Sequence, residues 1–363
     1  MTSRETLLGA VADDVTGATD LASVLVREGM RTTLRIGVPD RLEAEADAVV
    51  VALKSRTAPV EQAVRESVGS LRALRAWGAE RFYFKVCSTF DSTPRGNIGP
   101  VADALLDELG STYAVVTPAY PANGRTVYKG YLFVGDVLLS ESSMREHPLT
   151  PMTDSNLVRV LQRQTARPVG RLGTPHVTYA IADAVSDEDL RALGAAHAHL
   201  PLLVGGAGLA LGLPAAYGYT GPAATAPHVD GPAIVLAGSL SAATREQIVR
   251  FGGGIPVDRY DGYRGETALV HGGERNGRSP EEIEAALAEV AVDAVAKGAR
   301  RIVVAGGETS GAVVAALGVA ELAVGEEIAP GVPWMTTLEE PRLSFALKSG
   351  NFGGPDFFLE ALR

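Results

Sequence analysis

The chain has 363 residues, 46% of them hydrophobic, enough to bury more than one core, so two domains are the default expectation. A net charge of -10, with Lys and Arg scattered, argues against a nucleic-acid or anionic-membrane partner, and no apolar run approaches the roughly 18 residues of a membrane span. The single cysteine, Cys87, excludes a disulfide framework and a cysteine-rich zinc site, and the Met1–Glu5 start has no long apolar core, so the expected setting is cytoplasmic, with homo-oligomerisation left open.

Strand and helix alternate through the first half. Leu7 to Ala12 reads as a strand ending in Asp13-Asp14, and Thr16 to Asp20 opens a helix with Ala18, Leu21, Ala22 and Leu25 on one face. Thr32 to Ile36 and Ala48 to Leu53 are further strands. A helix from Pro59 carries Val60, Val64, Val68, Leu71 and Leu74, and Phe82 to Val86 is the next strand. Ile98, Val101, Leu105 and Leu109 mark another helix before the strand Tyr113 to Val116. This alternation predicts a doubly wound, mostly parallel sheet whose ligands lie beyond the carboxyl ends of its strands.

Three strand ends collect the polar residues. Asp13 and Asp14 repel one another unless a cation, a ligand hydroxyl or helix N–H groups stand between them, although Asp14 alone is also a good helix cap. Lys85 to Asn97 offers Lys85, Ser88, Thr89, Asp91 and Arg95, a density suited to a polyhydroxylated acid with Lys85 or Arg95 on its carboxylate; a solvated turn is the plain alternative. In Thr117 to Arg125 the prolines stiffen the loop, and the turn at Asn123-Gly124 aims Arg125.

Val127 to Gln164 breaks the alternation and reads as a lid, a hairpin or an interface arm, with His147 a loop hydrogen-bonder. Strands Val177 to Ile181 and Leu202 to Val204 close the first domain, spanning 1–220. The run Gly205 to Gly212 approximates a dinucleotide fingerprint but has one residue too many, and is read as a packing turn. Residues 221–232 have linker composition. The second domain, 233–363, is α/β: strand Ala233 to Ala237 with a Gly238-Ser239-Leu240-Ser241 turn, a capped helix from Ser279, and strand Ile302 to Ala305 running through Gly306 to Gly311 into a helix starting near Thr309. A last strand ends at Lys348-Ser349-Gly350. Three small-residue turns at strand ends point to a phosphate site.

Ala12 to Asp20, Lys85 to Ser92, Ala305 to Gly311 and Lys348 to Gly353 together resemble the four-carbon acid sugar kinases, in the same order and over nearly the whole chain. Gly124 to Tyr128, Gly130 to Asp136 and His147 to Met152 look most like the 3-oxo-tetronate branch. The resemblance implies an N-terminal acid-sugar-binding domain, a C-terminal nucleotide-binding domain and phosphorylation of a terminal hydroxyl with ATP. Phosphoryl transfer asks for a phosphate cradle, Mg²⁺ and a group that orients the hydroxyl. The expected cradle is Gly306, Gly307, Glu308, Thr309, Ser310 and Gly311, with Ser239 and Ser241 a second wall and Gly350 the far side by resemblance. Asp14 first and Asp91 second are expected at the hydroxyl, and Asp13, Lys85, Ser88, Thr89, Arg95, Asn123 and Arg125 at the acid; no residue is assigned to the metal. D-threonate or D-erythronate kinases of the same family, a nicotinamide-dependent oxidoreductase using Gly206-Ala207-Gly208 and a non-catalytic acid-sugar sensor are the alternatives. The chain is short for the family, chiefly between Phe251 and Ser279.

Overall fold

The computed structural model describes residues 7–40, 42, 45–91, 93–146, 150–273 and 278–363. His147 and Ser92, both part of the expectations above, lie outside the described residues. The chain divides into two compact units at Ala223/Ala224.

The first unit contains β1 (Leu8–Ala12), α1 (Val15–Arg27), β2 (Thr32–Ile36), β3 (Ala48–Ala52), α2 (Val60–Trp77), β4 (Arg81–Lys85), α3 (Ile98–Leu109) and β5 (Ala114–Thr117). It continues with β6 (Arg125–Tyr128), β7 (Tyr131–Val134), β8 (Val137–Leu138), α4 (Leu157–Gln162), β9 (Val169–Arg171), β10 (Tyr179–Ile181), α5 (Asp187–His197), β11 (Leu202–Gly205) and α6 (Leu213–Ala216). The sheet runs β2-β3-β1-β4-β11-β5-β10-β9, every neighbour parallel. Strands β1, β3, β5 and β11 are buried along their whole length, as a sheet covered on both faces requires.

The 127–164 excursion is built on an antiparallel ribbon, β6-β7-β8. The Asp183 carboxylate accepts the N–H groups of Lys129 (2.6 Å) and Gly130 (2.8 Å), and β6 bridges to Ala184 through Val127. These bonds fasten the ribbon's tip to the loop after β10.

The run after β11 is a packing turn. A Cβ at Gly205 would stand 2.3 Å from the Thr117 carbonyl oxygen, at Gly206 2.7 Å from that of Pro118, and at Gly208 2.5 Å from that of Ala119. These glycines let backbone approach backbone, the packing role expected of the run.

The second unit contains β12 (Ala233–Ala237), α7 (Ala242–Arg250), β13 (Ile255–Pro256), β14 (Ala268–His271), α8 (Pro280–Ala296), β15 (Arg301–Ala305) and α9 (Gly307–Ala316). After these come β16 (Glu321–Ala329), β17 (Val332–Thr337), β18 (Ser344–Lys348) and α10 (Phe357–Glu360). Its order is β13-β14-β12-β15-β18-β17-β16, parallel through β18 and antiparallel beyond. Val235, Val303, Trp334, Ala346 and Phe357 form one buried cluster under the sheet. The expected linker is partly fastened here: His228 stacks on Trp334 at 5.7 Å and the Val229 N–H donates to Ser344 Oγ at 2.7 Å.

Gly212 offers a direct test of the packing turn. With φ at -93° its backbone suits any residue, but a Cβ would lie 2.1 Å from the Arg191 carbonyl oxygen of α5. Gly212→Ala is therefore expected to destabilise the protein by roughly 1–3 kcal/mol in urea unfolding while nucleotide affinity stays at the wild-type value. An unchanged unfolding midpoint would contradict this close contact.

Candidate functional site

Strand order fixes where ligands can enter. From β1 the chain builds β2 and β3 on one side and then crosses to place β4 on the other, so the loops after β1 and β4 diverge and leave a crevice at the carboxyl edge. The second unit repeats the arrangement, with β14 on one side of β12 and β15 on the other. Asp13-Asp14 and Lys85–Asp91 flank the first switch point; Gly238–Ser241 and Gly306–Thr309 flank the second.

At the first, an arginine not singled out in the sequence organises the carboxylates. Arg56 donates to both oxygens of Asp13, at 3.0 and 2.8 Å, and its Nη2 lies 3.1 Å from Oδ1 of Asp14. Asn97 holds the loop that carries Arg56, donating to the carbonyls of Ser55 (2.7 Å) and Ala58 (2.8 Å). Burial pushes the Asp13 carboxyl above its ordinary range despite Arg56. Burial acts on Asp14 as well, but Arg56, Lys85 and the Gly17 N–H outweigh it and hold Asp14 below the ordinary value. Asp14 also caps α1, accepting from Gly17 N at 2.7 Å and from the Thr16 hydroxyl at 3.1 Å.

Lys85 is 2% exposed, donates to the Val86 carbonyl at 3.0 Å and pairs with Asp20 Oδ2 at 3.7 Å. Ser88 and Thr89 are buried beside it in sequence, and Thr89 Oγ1 meets Cys87 Sγ at 2.9 Å. The Cys87 thiol donates to Asp91 Oδ2 at 3.1 Å; burial and the Asp91 charge push its acidity to a pKa of about 11, so it is no nucleophile at neutral pH. Asp91 Oδ1 is buried with no partner among the described residues.

The remaining expected residues divide. Arg95 is exposed, its backbone N–H donates to Thr93 Oγ1 at 3.2 Å, and its side chain makes no hydrogen bond or ion pair among the described residues. Asn123 and Arg125 follow β5, two strand positions from β4 across β11. Gly124 takes a φ of +69°, Arg125 Nη1 donates to the Asn123 carbonyl, and Asn123 Nδ2 and Arg125 Nε are buried donors without an acceptor among the described residues.

At the second switch point the glycines are spatially required. Gly306 has a φ of +130°, and a Cβ there would crowd Thr309 Oγ1 (3.1 Å) and Ser239 N (3.2 Å). A Cβ at Gly350 would strike Ser239 Oγ at 2.1 Å, and one at Gly238 would strike Thr309 Oγ1 at 2.0 Å. Gly238, Ser239, Gly306, Thr309 and Gly350 thus converge on one small space. Ser241 caps α7 and donates to the Gly350 carbonyl at 2.7 Å.

Helix α9 starts at Gly307, two residues before the expected start, with no capping side chain at Gly306. The Ser310 N–H is already bonded to the Gly306 carbonyl at 2.8 Å, so Ser310 and Gly311 belong to the helix body and the cradle narrows to 306–309. Glu308 sits on that first turn, partly exposed. Among the described residues no three carboxylate, imidazole or thiol groups gather as a metal cage. No helix described is long and apolar enough to cross a membrane.

Arg56 supplies the first unit's test. Its removal would strand two adjacent buried carboxylates, whose acidities would weaken toward the neutral form. A raised folded-state pKa costs stability above the unfolded value near 3.8, so the deficit is present at neutral pH and fades as pH falls toward 4. Arg56→Ala is expected to lose about 3 kcal/mol at pH 7 and clearly less at pH 4 in urea unfolding. Equal losses at both pH values would refute the electrostatic account.

The chain matches two families: a sugar-binding N-terminal domain over residues 8–213 and a nucleotide-binding C-terminal domain over 264–358. A Cupriavidus necator protein named 3-oxo-tetronate kinase is 50% identical across 98% of this chain and 96% of its own length, in an alignment of 421 positions. A Burkholderia multivorans protein of the same name is 49% identical across 98% and 97%. A solved Salmonella typhimurium LT2 structure, provisionally described as a tRNA synthase, is 37% identical with a TM-score of 0.86, covering 98% of both chains. With both domains matched and relatives this close along its whole length, the chain belongs to the four-carbon acid sugar kinase family.

Proposed function

We propose that the protein transfers the γ-phosphoryl group of ATP to the 4-hydroxyl of a 3-oxo-tetronate. The observation that carries this reading is the near-full-length likeness to relatives named for that activity. The two switch-point crevices support it, one charged and hydroxyl-rich, the other made of glycines, serines and the N-terminus of α9.

Phosphoryl transfer depends on positioning and charge neutralisation, so each group has a limited task. In this reading the first-turn N–H groups of α9 take the nucleotide phosphates, with Gly306 and Gly350 letting Ser239 and Thr309 close in around that helix start. Magnesium would enter on those phosphates, as it commonly does with few protein ligands, and no residue is assigned to hold it.

The 4-hydroxyl needs an acceptor that orients it. Asp14 has its Oδ1 committed to the helix cap and Arg56, whereas Asp91 keeps one buried oxygen without a partner, so Asp91 takes precedence over Asp14 for this role. Arg56 then serves to fix Asp13 and Asp14 and to oppose the effect of burial on their charged forms. The unpaired donors Asn123 Nδ2 and Arg125 Nε favour a ligand atom that only accepts. A 3-oxo group is such an atom, while a 3-hydroxyl brings a proton that needs an acceptor of its own.

An unpaired buried polar group costs about 1–3 kcal/mol, so kcat/KM for 3-oxo-tetronate should exceed that for D-threonate or D-erythronate by at least about tenfold. A coupled assay of ADP release over these acids tests it; equal or better use of a 3-hydroxy acid would overturn the branch while leaving the kinase intact. Asp91→Asn should lower kcat roughly a hundredfold with ATP affinity retained. Near-normal turnover in that variant would remove Asp91 from the reaction.

A further inference from the structure

Lys348, the last residue of β18, is 0% exposed, and no carboxylate forms an ion pair with it among the described residues. Its ammonium donates to the carbonyls of Ser349 and Gly350, each at 3.0 Å, and to Thr244 Oγ1 at 3.3 Å. The Phe357 ring of α10 lies 5.8 Å away. No charged side chain on α7, α9, α10, β15 or β17 contributes to its titration; burial alone pushes its pKa down to about 7. A cation so placed needs a reason, because burying an unpaired charge is costly.

The reason is visible in the turn that it holds. A trans peptide points its C=O and N–H in opposite directions. Two successive carbonyls drawn onto Lys348 therefore turn the N–H groups of Gly350 and Asn351 away from it. Neither N–H has an acceptor among the described residues, and Gly350 abuts Ser239 at the switch-point crevice. The hydroxyls of Ser241 (2.7 Å) and Thr244 (2.8 Å) add to the clamp on the Gly350 carbonyl. Consecutive outward N–H groups form an anion-binding concavity.

We propose that Lys348 is a positioning residue that shapes the Ser349–Asn351 turn into a site for a nucleotide phosphate, its charge acting through the turn. This rests on the nucleotide-binding role of the second unit. An anion on the far side of the turn stabilises the ammonium, so phosphate binding raises the Lys348 pKa and takes up a proton when the pH lies above 7. Affinity is then highest with Lys348 charged and falls as pH rises past 7. Apo stability moves the other way: a lysine pKa depressed on folding makes the folded state relatively more stable as pH climbs from 7 toward the unfolded value of 10.5.

The test is calorimetric titration of ADP and ATP into wild type and Lys348→Met from pH 6.5 to 9, in buffers of different ionisation enthalpy, alongside thermal melts. Methionine has similar volume and removes a buried charge, so the variant should melt no lower than wild type at pH 7. The expected result is roughly tenfold weaker nucleotide binding in K348M at pH 7. For wild type, Kd should rise about tenfold more than for K348M between pH 7 and 8.5, with proton uptake that the variant lacks. The nucleotide's own phosphate titration is common to both and cancels in the difference. Equal affinity and equal proton uptake in a folded K348M would overturn the assignment of Lys348 alone. A K348M that loses stability and affinity together, with unchanged proton uptake, would reduce Lys348 to a structural group. Wild type binding neither nucleotide would overturn the nucleotide reading and this proposal with it.

Discussion

The reversal of strand order at β1/β4 and at β12/β15 is the constraint from which the rest of the structure follows. Parallel strands send their carboxyl ends to one edge, and divergent loops at a switch point cannot cover that edge by themselves. Groups placed there are desolvated by the sheet below but remain available to a ligand above. Charge in such a position must be compensated locally, and the two units do so differently. The first pairs opposite charges, Arg56 with Asp13 and Asp14, and Lys85 with Asp20. The second surrounds Lys348 with neutral acceptors, two carbonyls and a hydroxyl. Carbonyl dipoles neutralise an ammonium less completely than a carboxylate would, which leaves net positive potential for an incoming anion.

The parts readable from sequence were those in which local pattern and global position agree. The buried strand Ile302 to Ala305 followed by glycines announces a strand-turn-helix, and the α8 capping box at Ser279 and Glu282 marks its start to the residue. Arg56 was not readable. It stands 43 residues from Asp13 in a turn without periodicity, and the two meet because β3 pairs directly with β1. Asn97 closes the polar stretch from Lys85, and its task of holding the Arg56 loop depends on a contact 42 residues back. Lys348 belongs to a readable motif, but its burial depends on Thr244 of α7, 104 residues away, and Phe357 of α10 packing against it.

Other misreadings have particular physical causes. The β16–β17 hairpin escaped notice because register shifts between Val324 and Ala329 interrupt the two-residue alternation that marks a strand. The helix expected near Thr309 starts two residues earlier because Gly306, with its positive φ, completes the turn by itself, and Thr309 Oγ1 faces Gly238. The glycine run after β11 resembled a nucleotide motif because close backbone approach and phosphate approach demand the same residue. Only the neighbours distinguish them, and here the neighbours are the Thr117, Pro118 and Ala119 carbonyls.

The same constraint accounts for what the chain can do without. Its sequence is shorter than the alignment with its relatives, and the stretch after Phe251 was where the shortening was expected to fall. That stretch supplies β14, which pairs with β12 from Ile234 to Ala237, and the two-residue β13, Ile255–Pro256, at the sheet's edge. A switch point needs a strand on each side of the central one, so β14 and β15 must stay. An edge strand beyond β14 adds area to the sheet but does not alter the divergence of the loops after β12 and β15. The Gly238–Ser241 and Gly306–Thr309 turns are held in register by Ala237 opposite Ala305 and Ala305 opposite Lys348. These turns depend on the pairing of β12 with β15 and of β15 with β18.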